Sequence, residues 1–158
     1  MIAVLAVAFV LVVAVPYVTF AAPAAVNNPF VGTRNLLGKG VVRETANGEN
    51  VTAPANFTLT LERTGSNLSA PKFNVVSGDL NVNGTIYTIT SGDGGVLRAR
   101  HAILLQAQGI GPDGQSVTLK LAGRYFWLGG HLFVLRMAGS VQTTSGKEQL
   151  LMRAEIRV

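Results

Sequence analysis

Hydrophobic and polar residues alternate along most of the chain after the first 34 positions, which is typical of strands with one buried face. In NFTLTLER, for example, Phe57, Leu59 and Leu61 fall on one side and polar residues on the other. No segment shows the 3.6-residue period of an amphipathic helix. The predicted strands are Leu36–Glu44, Asn56–Arg63, Lys72–Val82, Thr85–Thr90, Val96–Gln108, Val117–Trp127, His131–Val141 and Gln149–Val158.

Turn residues between these segments predict which strands pair. Asn83-Gly84 is a strong signal for a two-residue hairpin loop, and such a loop places Leu80 opposite Tyr87. Ser91–Gly95 and Gly111–Gly114 are interpreted as further turns, because glycine and aspartate are concentrated in both. Consecutive strands are therefore expected to lie next to each other and to run antiparallel.

The stretch Val117–Val141 is predicted to form the central hairpin of the domain. It contains the only tryptophan and two alternating runs separated by a glycine pair. The apolar sides of the two runs meet if Tyr125 lies opposite Phe133. That register requires an odd connection, Leu128-Gly129-Gly130, with one glycine at positive φ.

Eight such strands joined mostly by short turns predict an all-β domain, a single antiparallel meander. The uneven lengths of the predicted strands favour a two-layer sandwich, and a small closed barrel is the alternative. The chain divides into an apolar N-terminal segment (residues 1–24), a linker (25–34) and the all-β domain (35–158).

The N-terminal segment has no charged side chain between Met1 and Thr33. The apolar run Ile2–Val15 has the length of a signal-peptide core, and the small residues Ala22-Pro23-Ala24 are typical of a cleavage site. Ile2–Ala25 is also long enough to span a bilayer. The alternatives are a cleaved export signal, a retained membrane anchor or assembly helix, and a buried core helix. The first two predict an extracytoplasmic protein, secreted or anchored to the membrane.

Four N-x-S/T sequons are consistent with export, because N-glycosylation requires an exported chain and a host that makes N-glycans. Chance occurrence in a strand protein rich in threonine and asparagine explains them equally well. The candidate glycosylation sites are Asn50, Asn56, Asn67 and Asn83.

Composition and charge narrow the function classes. The absence of cysteine excludes disulfides, a thiol nucleophile and thiolate zinc sites.

The positive charge is concentrated in the second half of the chain. From Val96 onward there are eight basic and three acidic residues, which accounts for the whole net charge of +5. Seven of the eight have the strand parity opposite to the apolar set and form the candidate anion-binding face. They are Arg98, Arg100, Lys120, Arg124, Arg136, Arg153 and Arg157.

Arginine suits planar contacts with phosphate or carboxylate, so the basic face is a candidate site for an anionic surface, glycan or protein partner. A solvated face with no partner is the alternative, because strands with one wet face need polar residues there. Phe126 is predicted on the same face. A retained N-terminal segment adds the membrane as a partner, and specific nucleic-acid binding is not favoured.

No catalytic residue, metal ligand or cofactor site is predicted. His101 and His131 are the only histidines, and no acidic residue lies within ten positions of His131. Asp93 and Asp113 are interpreted as turn residues, since a calcium site needs six or more oxygen ligands. We therefore expect a protein that is not an enzyme. An enzyme whose site is assembled from distant loops is the alternative.

An uncharged apolar segment followed by an all-β domain with sequons is similar to the plan of archaeal pilin-like surface subunits. This resemblance is architectural and rests on no specific motif. It implies an assembly subunit whose apolar segment is buried between copies, and hence a homo-oligomer. The leading hypothesis is an exported cell-envelope β domain with a non-catalytic binding or structural role, and the pilin-like or surface-layer subunit is its alternative.

Overall fold

The computed structural model describes residues 32–46, 49–65 and 70–157. Eight antiparallel strands follow one another in sequence order, and the last pairs with the first, so the sheet closes into a barrel. A single turn of 3₁₀ helix, Arg98–Arg100, lies between the fourth and fifth strands. The strands are β1 (Thr33–Ala46), β2 (Glu49–Thr64), β3 (Lys72–Val82), β4 (Thr85–Leu97), β5 (Ala102–Ile110), β6 (Ser116–Trp127), β7 (Leu132–Thr143) and β8 (Gly146–Arg157).

The predicted all-β meander of eight antiparallel strands is confirmed, and it takes the form of the small closed barrel. The favoured two-layer sandwich is wrong. It rested on the uneven lengths of the predicted strands, but the observed strands are equally uneven and the sheet still closes. The observed strands run from 9 residues in β5 to 16 in β2. β1 and β8 pair from Leu36 opposite Ile156 to Arg43 opposite Gln149, and this pairing removes the two free edges.

The predicted turn at Ser91–Gly95 does not exist, because β4 continues through it to Leu97. Gly94 pairs with Leu105 of β5, and a Cβ atom at Gly94 would collide with the ring of Phe73. The glycines here mark close packing inside a strand and not a turn. The chain reverses instead at Arg98–Arg100, where His101 adopts a left-handed conformation with φ of 50°.

The Asn83-Gly84 hairpin is confirmed, with Leu80 opposite Tyr87. Asn83 and Gly84 both have positive φ, 50° and 86°, as a type I′ turn requires. The Gly84 amide also donates a hydrogen bond to the side-chain oxygen Oδ1 of Asn81 at 3.0 Å. Local residue type therefore determines this turn.

The central hairpin forms, but its register differs from the predicted one. Tyr125 lies opposite Leu135 and not opposite Phe133. The Leu128 amide donates to the Leu132 carbonyl oxygen at 3.1 Å, so the connection is Gly129-Gly130-His131. The connection is odd, as predicted, but it begins one residue later along the chain, and both of its glycines have positive φ where one was expected.

The barrel interior is filled by apolar side chains from all eight strands, as expected for a barrel of this strand number. No polar or charged residue is buried among the residues that the structure describes. Two β-bulges bend the sheet. Val76 is unpaired opposite β2, where Thr60 pairs with Ser77 and Leu61 with Val75, and Thr90 is unpaired opposite β5.

The predicted N-terminal segment, residues 1–24, and all but the last three residues of the predicted linker lie outside the described residues. No helix within residues 32–46, 49–65 and 70–157 is long and apolar enough to cross a membrane.

Candidate anion-binding surface

Four basic residues lie side by side across four neighbouring strands on the outside of the barrel. Arg124 of β6 is opposite Arg136 of β7, Arg136 is opposite Arg153 of β8, and Arg153 is opposite Lys39 of β1. All four side chains are exposed. We call Lys39, Arg124, Arg136 and Arg153 the arginine row. Directly opposed side chains in antiparallel strands have Cβ atoms about 4.5–5.5 Å apart, so successive charges are nearest neighbours.

The arginine row has little neutralising charge. Arg153 forms an ion pair with Glu155 at 3.8 Å, and both side chains are exposed to solvent. Exposed pairs of this kind contribute about 0–1 kcal/mol. Within the described residues, Lys39, Arg124 and Arg136 have no acidic partner. The row therefore carries an almost uncompensated positive charge.

An apolar row runs beside the arginine row, one outward-facing position along each strand. Ala122 is opposite Ala138, Ala138 is opposite Leu151, and Leu151 is opposite Val41. All residues of the two rows except Val41 line an open groove of about 700 Å³, which also includes Phe126. Phe126 is 44% exposed and lies on the basic face, as predicted. The groove thus combines an apolar floor with a cationic wall.

The structure divides the seven basic residues predicted from sequence into separate groups. Arg124, Arg136 and Arg153 belong to the arginine row. Lys120 is exposed on β6, but Ala122 separates it from the row, and its neighbours across the sheet are Gln106 and Ser140. The remaining three are exposed at one end of the barrel. They are Arg98 and Arg100 in the 3₁₀ turn and Arg157 at the end of β8.

Lys39 was not predicted as a member of this surface. It lies on β1, far from β8 in sequence, and becomes a neighbour of Arg153 only because the barrel closes. The outward parity of Lys39 was visible in the sequence. Its position beside three arginines follows from the closure, which strand alternation alone does not specify.

The two histidines lie apart at the same end of the barrel. The ring centroid of His101 is 5.4 Å from that of Tyr125, which in turn is 6.3 Å from Phe133. Burial raises the pKa of Tyr125, and the positive charge of Arg98 opposes that effect. His131 is exposed in the β6–β7 connection. In the described part of the chain, no three histidine or acidic side chains come together to hold a metal ion.

Two of the predicted glycosylation sites lie on β2, and a third lies in the β3–β4 turn. Asn56 is exposed on β2, opposite Lys39, and Asn83 is exposed in the β3–β4 turn. Asn50 lies on β2, but its side chain is outside the described part, as is the whole of Asn67. Asn83 therefore presents its amide on a tight turn, and Asn56 presents its amide next to the arginine row.

Comparison of this chain with protein-family models, curated proteins and solved structures gives no match.

Proposed function

We propose that this protein is an exported, non-catalytic β-barrel domain of the cell envelope, which binds an anionic polymer through the arginine row. The observation that carries the proposal is the direct opposition of Arg124, Arg136 and Arg153, among which Arg153 alone has an acidic partner within the described residues, the exposed Glu155. An acidic glycan is the cell-envelope partner that best fits this surface.

The charge arrangement is unfavourable for the isolated domain. Like charges directly opposite each other destabilise an antiparallel sheet, whereas alternating signs stabilise it. A face that only meets water has no need for like charges, and alternating signs would make it more stable. Positions that violate a local rule are expected at functional sites, where the cost to stability is offset by binding. Carboxylate or phosphate groups bound to the guanidinium groups relieve the repulsion through charge-assisted hydrogen bonds.

The shape of the surface favours an extended partner. Neighbouring strands are about 4.8 Å apart, so the four charges span roughly 14 Å in a line perpendicular to the strands. A polymer with repeated acidic groups can contact several of them at once, which a small anion cannot. The apolar floor formed by Ala122, Ala138 and Leu151 offers contact area for the body of that polymer.

Export is supported by the uncharged segment before Arg34 and by the sequons. Intact mass measurement of the mature protein from its native host tests this part of the proposal. Loss of about 24 residues indicates a cleaved signal, and retention in the membrane fraction indicates an anchor. Recovery of the uncleaved chain from the cytosolic fraction contradicts export.

Binding is tested by titrating the protein with polygalacturonate, a polymer of carboxylate-bearing sugars. Arg124→Gln combined with Arg136→Gln should weaken binding by about tenfold or more, equivalent to about 1.4 kcal/mol. The affinity of the original protein should fall as salt is raised. Monomeric galacturonate should bind far more weakly than the polymer.

A matched variant controls for net charge. Lys72→Gln combined with Lys147→Gln also removes two exposed positive charges, but both lie outside the arginine row. This variant should bind the polymer nearly as well as the original protein. Equal weakening by both double variants would indicate a general attraction to a basic protein and would overturn the assignment of the site.

A further inference from the structure

A second surface lies at the end of the barrel where β1 begins and β8 ends. The same end carries the β4–β5 turn and the β6–β7 connection. These elements are neighbours: the Tyr125 amide donates to the His101 carbonyl oxygen at 2.9 Å, and Leu132 is paired with Arg157. We call this continuous surface, from the β4–β5 turn to the start of β1, the terminal end.

Large apolar side chains project from the terminal end. Trp127 is 47% exposed and Leu128 is 61% exposed, and Leu97 in the neighbouring turn is also exposed. The indole nitrogen Nε1 of Trp127 donates to the Gly130 carbonyl oxygen at 3.3 Å, within its own turn. The exposed ring can therefore enter a less polar medium without leaving an unpaired donor. Tryptophan is enriched where proteins meet the membrane–water interface, because its side chain combines a large apolar ring with a polar N–H group.

Positive charge flanks these apolar residues on both sides. Arg98 and Arg100 are exposed in the β4–β5 turn, and Arg157 is exposed at the end of β8. No acidic residue occurs in residues 97–103 or 125–133. Glu62 of β2, opposite Thr33, and Glu155 of β8 lie near the same end but outside these two segments, whereas Asp113 and Glu148 lie at the opposite end of the barrel. Arginines beside exposed apolar side chains match the headgroup layer of an anionic membrane, where basic groups meet lipid phosphates.

Two further arginines turn inward at the same end. Arg34 of β1 and Arg63 of β2 are partly buried, and their Nε atoms have no hydrogen-bond partner. Neither forms an ion pair with a described residue. Their charges therefore add to the positive potential of the terminal end.

The uncharged sequence before Arg34 joins the barrel at this end, since β1 begins at Thr33. If residues 2–25 of that sequence enter a bilayer, residues 26–32 alone separate them from β1, so the terminal end lies within about 25 Å of the membrane surface. We propose that the terminal end docks on a bilayer containing anionic lipids, with Trp127 and Leu128 in the interface and Arg98, Arg100 and Arg157 at the headgroups. This inference concerns a different surface from the arginine row and does not rest on polymer binding.

Trp127 is the only tryptophan in the chain, so its fluorescence reports on the terminal end of the unmodified, full-length protein. The probe is vesicles of phosphatidylcholine, with or without phosphatidylglycerol, whose acyl chains are brominated to quench nearby tryptophan. The emission of Trp127 should shift to shorter wavelength and be quenched more strongly when phosphatidylglycerol is present. Added salt should reduce this difference.

Arg98→Gln combined with Arg100→Gln should remove most of the phosphatidylglycerol-dependent quenching. Both side chains are exposed, so an unchanged thermal unfolding midpoint would show that the variant is folded. The matched control is Arg124→Gln combined with Arg136→Gln, which should leave the quenching unchanged although it weakens polymer binding. Loss of quenching in this control would indicate docking through the arginine row and would overturn the proposal.

Two other results would also overturn it. Equal quenching by vesicles with and without phosphatidylglycerol would show that the arginines do not contribute to lipid contact. An equal blue shift on adding polygalacturonate without vesicles would identify the terminal end as a general anion site. If lipid-dependent quenching is absent while polymer binding persists, membrane docking is wrong and the arginine row assignment stands. The two proposals can therefore be contradicted independently of each other.

Discussion

Arg136 lies between two other arginines, opposite Arg124 on one side and opposite Arg153 on the other. All three side chains are exposed, and only Arg153 has an acidic partner among the described residues. A cationic side chain at the centre of this arrangement repels both neighbours, and each like-charged pair costs up to about 1 kcal/mol. A substitution that reverses the charge of Arg136 should therefore raise the stability of the barrel while it weakens polymer binding.

Arg136→Glu should stabilise the barrel, because it converts two repulsive pairs into two attractive ones. We expect the free energy of unfolding in urea to rise by about 0.5–1 kcal/mol at low salt and the gain to shrink as salt is added. Polymer binding should be lost in the same variant. Arg43→Glu is the control: it makes the same charge change, but its cross-strand neighbours are Thr52 and Gln149. A less stable Arg136→Glu protein would mean that packing of the arginine stem outweighs the repulsion.

Strand alternation and turn chemistry were sufficient to predict the fold class and most strands. The Asn83-Gly84 turn was predictable because Asn and Gly tolerate the positive φ that a type I′ turn requires. The turn at Ser91–Gly95 was wrong because Gly92 and Gly94 had a different role. They lie inside the barrel, where Gly94 leaves room for the Phe73 ring. A glycine in sequence does not distinguish a turn from a close approach of two strands.

The sequence was sufficient to predict which residues of the candidate surface face outward, but not which of them are neighbours. Parity along each strand placed Arg124, Arg136 and Arg153 on the outside. Which of them are neighbours depends on register, and a shift by two residues leaves parity unchanged. The central hairpin shows this. The buried side of each of its strands was predicted correctly, but Tyr125 pairs with Leu135 and not with Phe133. The contribution of Lys39 required the closure between β1 and β8, which is a long-range feature.

Gly139→Ala should destabilise the barrel substantially. A Cβ atom at Gly139 would collide with the carbonyl oxygen of Lys120 on the paired strand, and a backbone atom cannot move aside cheaply. Overpacking of this kind costs about 1–3 kcal/mol or more, and thermal unfolding measures it. The control is Gly95→Ala on the outer side of β4, where the nearest atom to a new Cβ is the Pro71 carbonyl oxygen at 3.8 Å. Equal destabilisation by both substitutions would contradict the packing explanation.

Gly84→Ala should weaken the β3–β4 hairpin, because Gly84 has φ of 86° in the turn. Placing an L side chain in this conformation costs about 1–2 kcal/mol, which a urea unfolding curve detects. Asn83→Gly is the companion variant. It keeps the turn and should change stability by less than about 1 kcal/mol, since glycine adopts positive φ freely. It also removes one sequon, so the mass of the protein from its native host should fall by one glycan if Asn83 is modified.

Tyr125 should make the barrel sensitive to alkaline pH. Burial raises the pKa of Tyr125 above its usual value of 10.0, with the charge of Arg98 acting in the opposite direction. Burial and the nearby Glu148 also raise the pKa of Tyr87. A phenol with a raised pKa in the folded state binds its proton more tightly when folded than when unfolded. Its contribution to stability is therefore complete below about pH 10 and is lost as the pH rises through the folded-state pKa.

The measurement is the free energy of unfolding in urea as a function of pH for four proteins: the original, Tyr125→Phe, Tyr87→Phe and the double variant that carries both substitutions. Between about pH 9 and about pH 11 the original protein should lose stability more steeply than either variant. The variant lacking both tyrosines should show the shallowest decline, because the remaining loss comes from groups common to all four proteins. Parallel pH curves for the original protein and the double variant would exclude these phenols as the cause of alkaline unfolding.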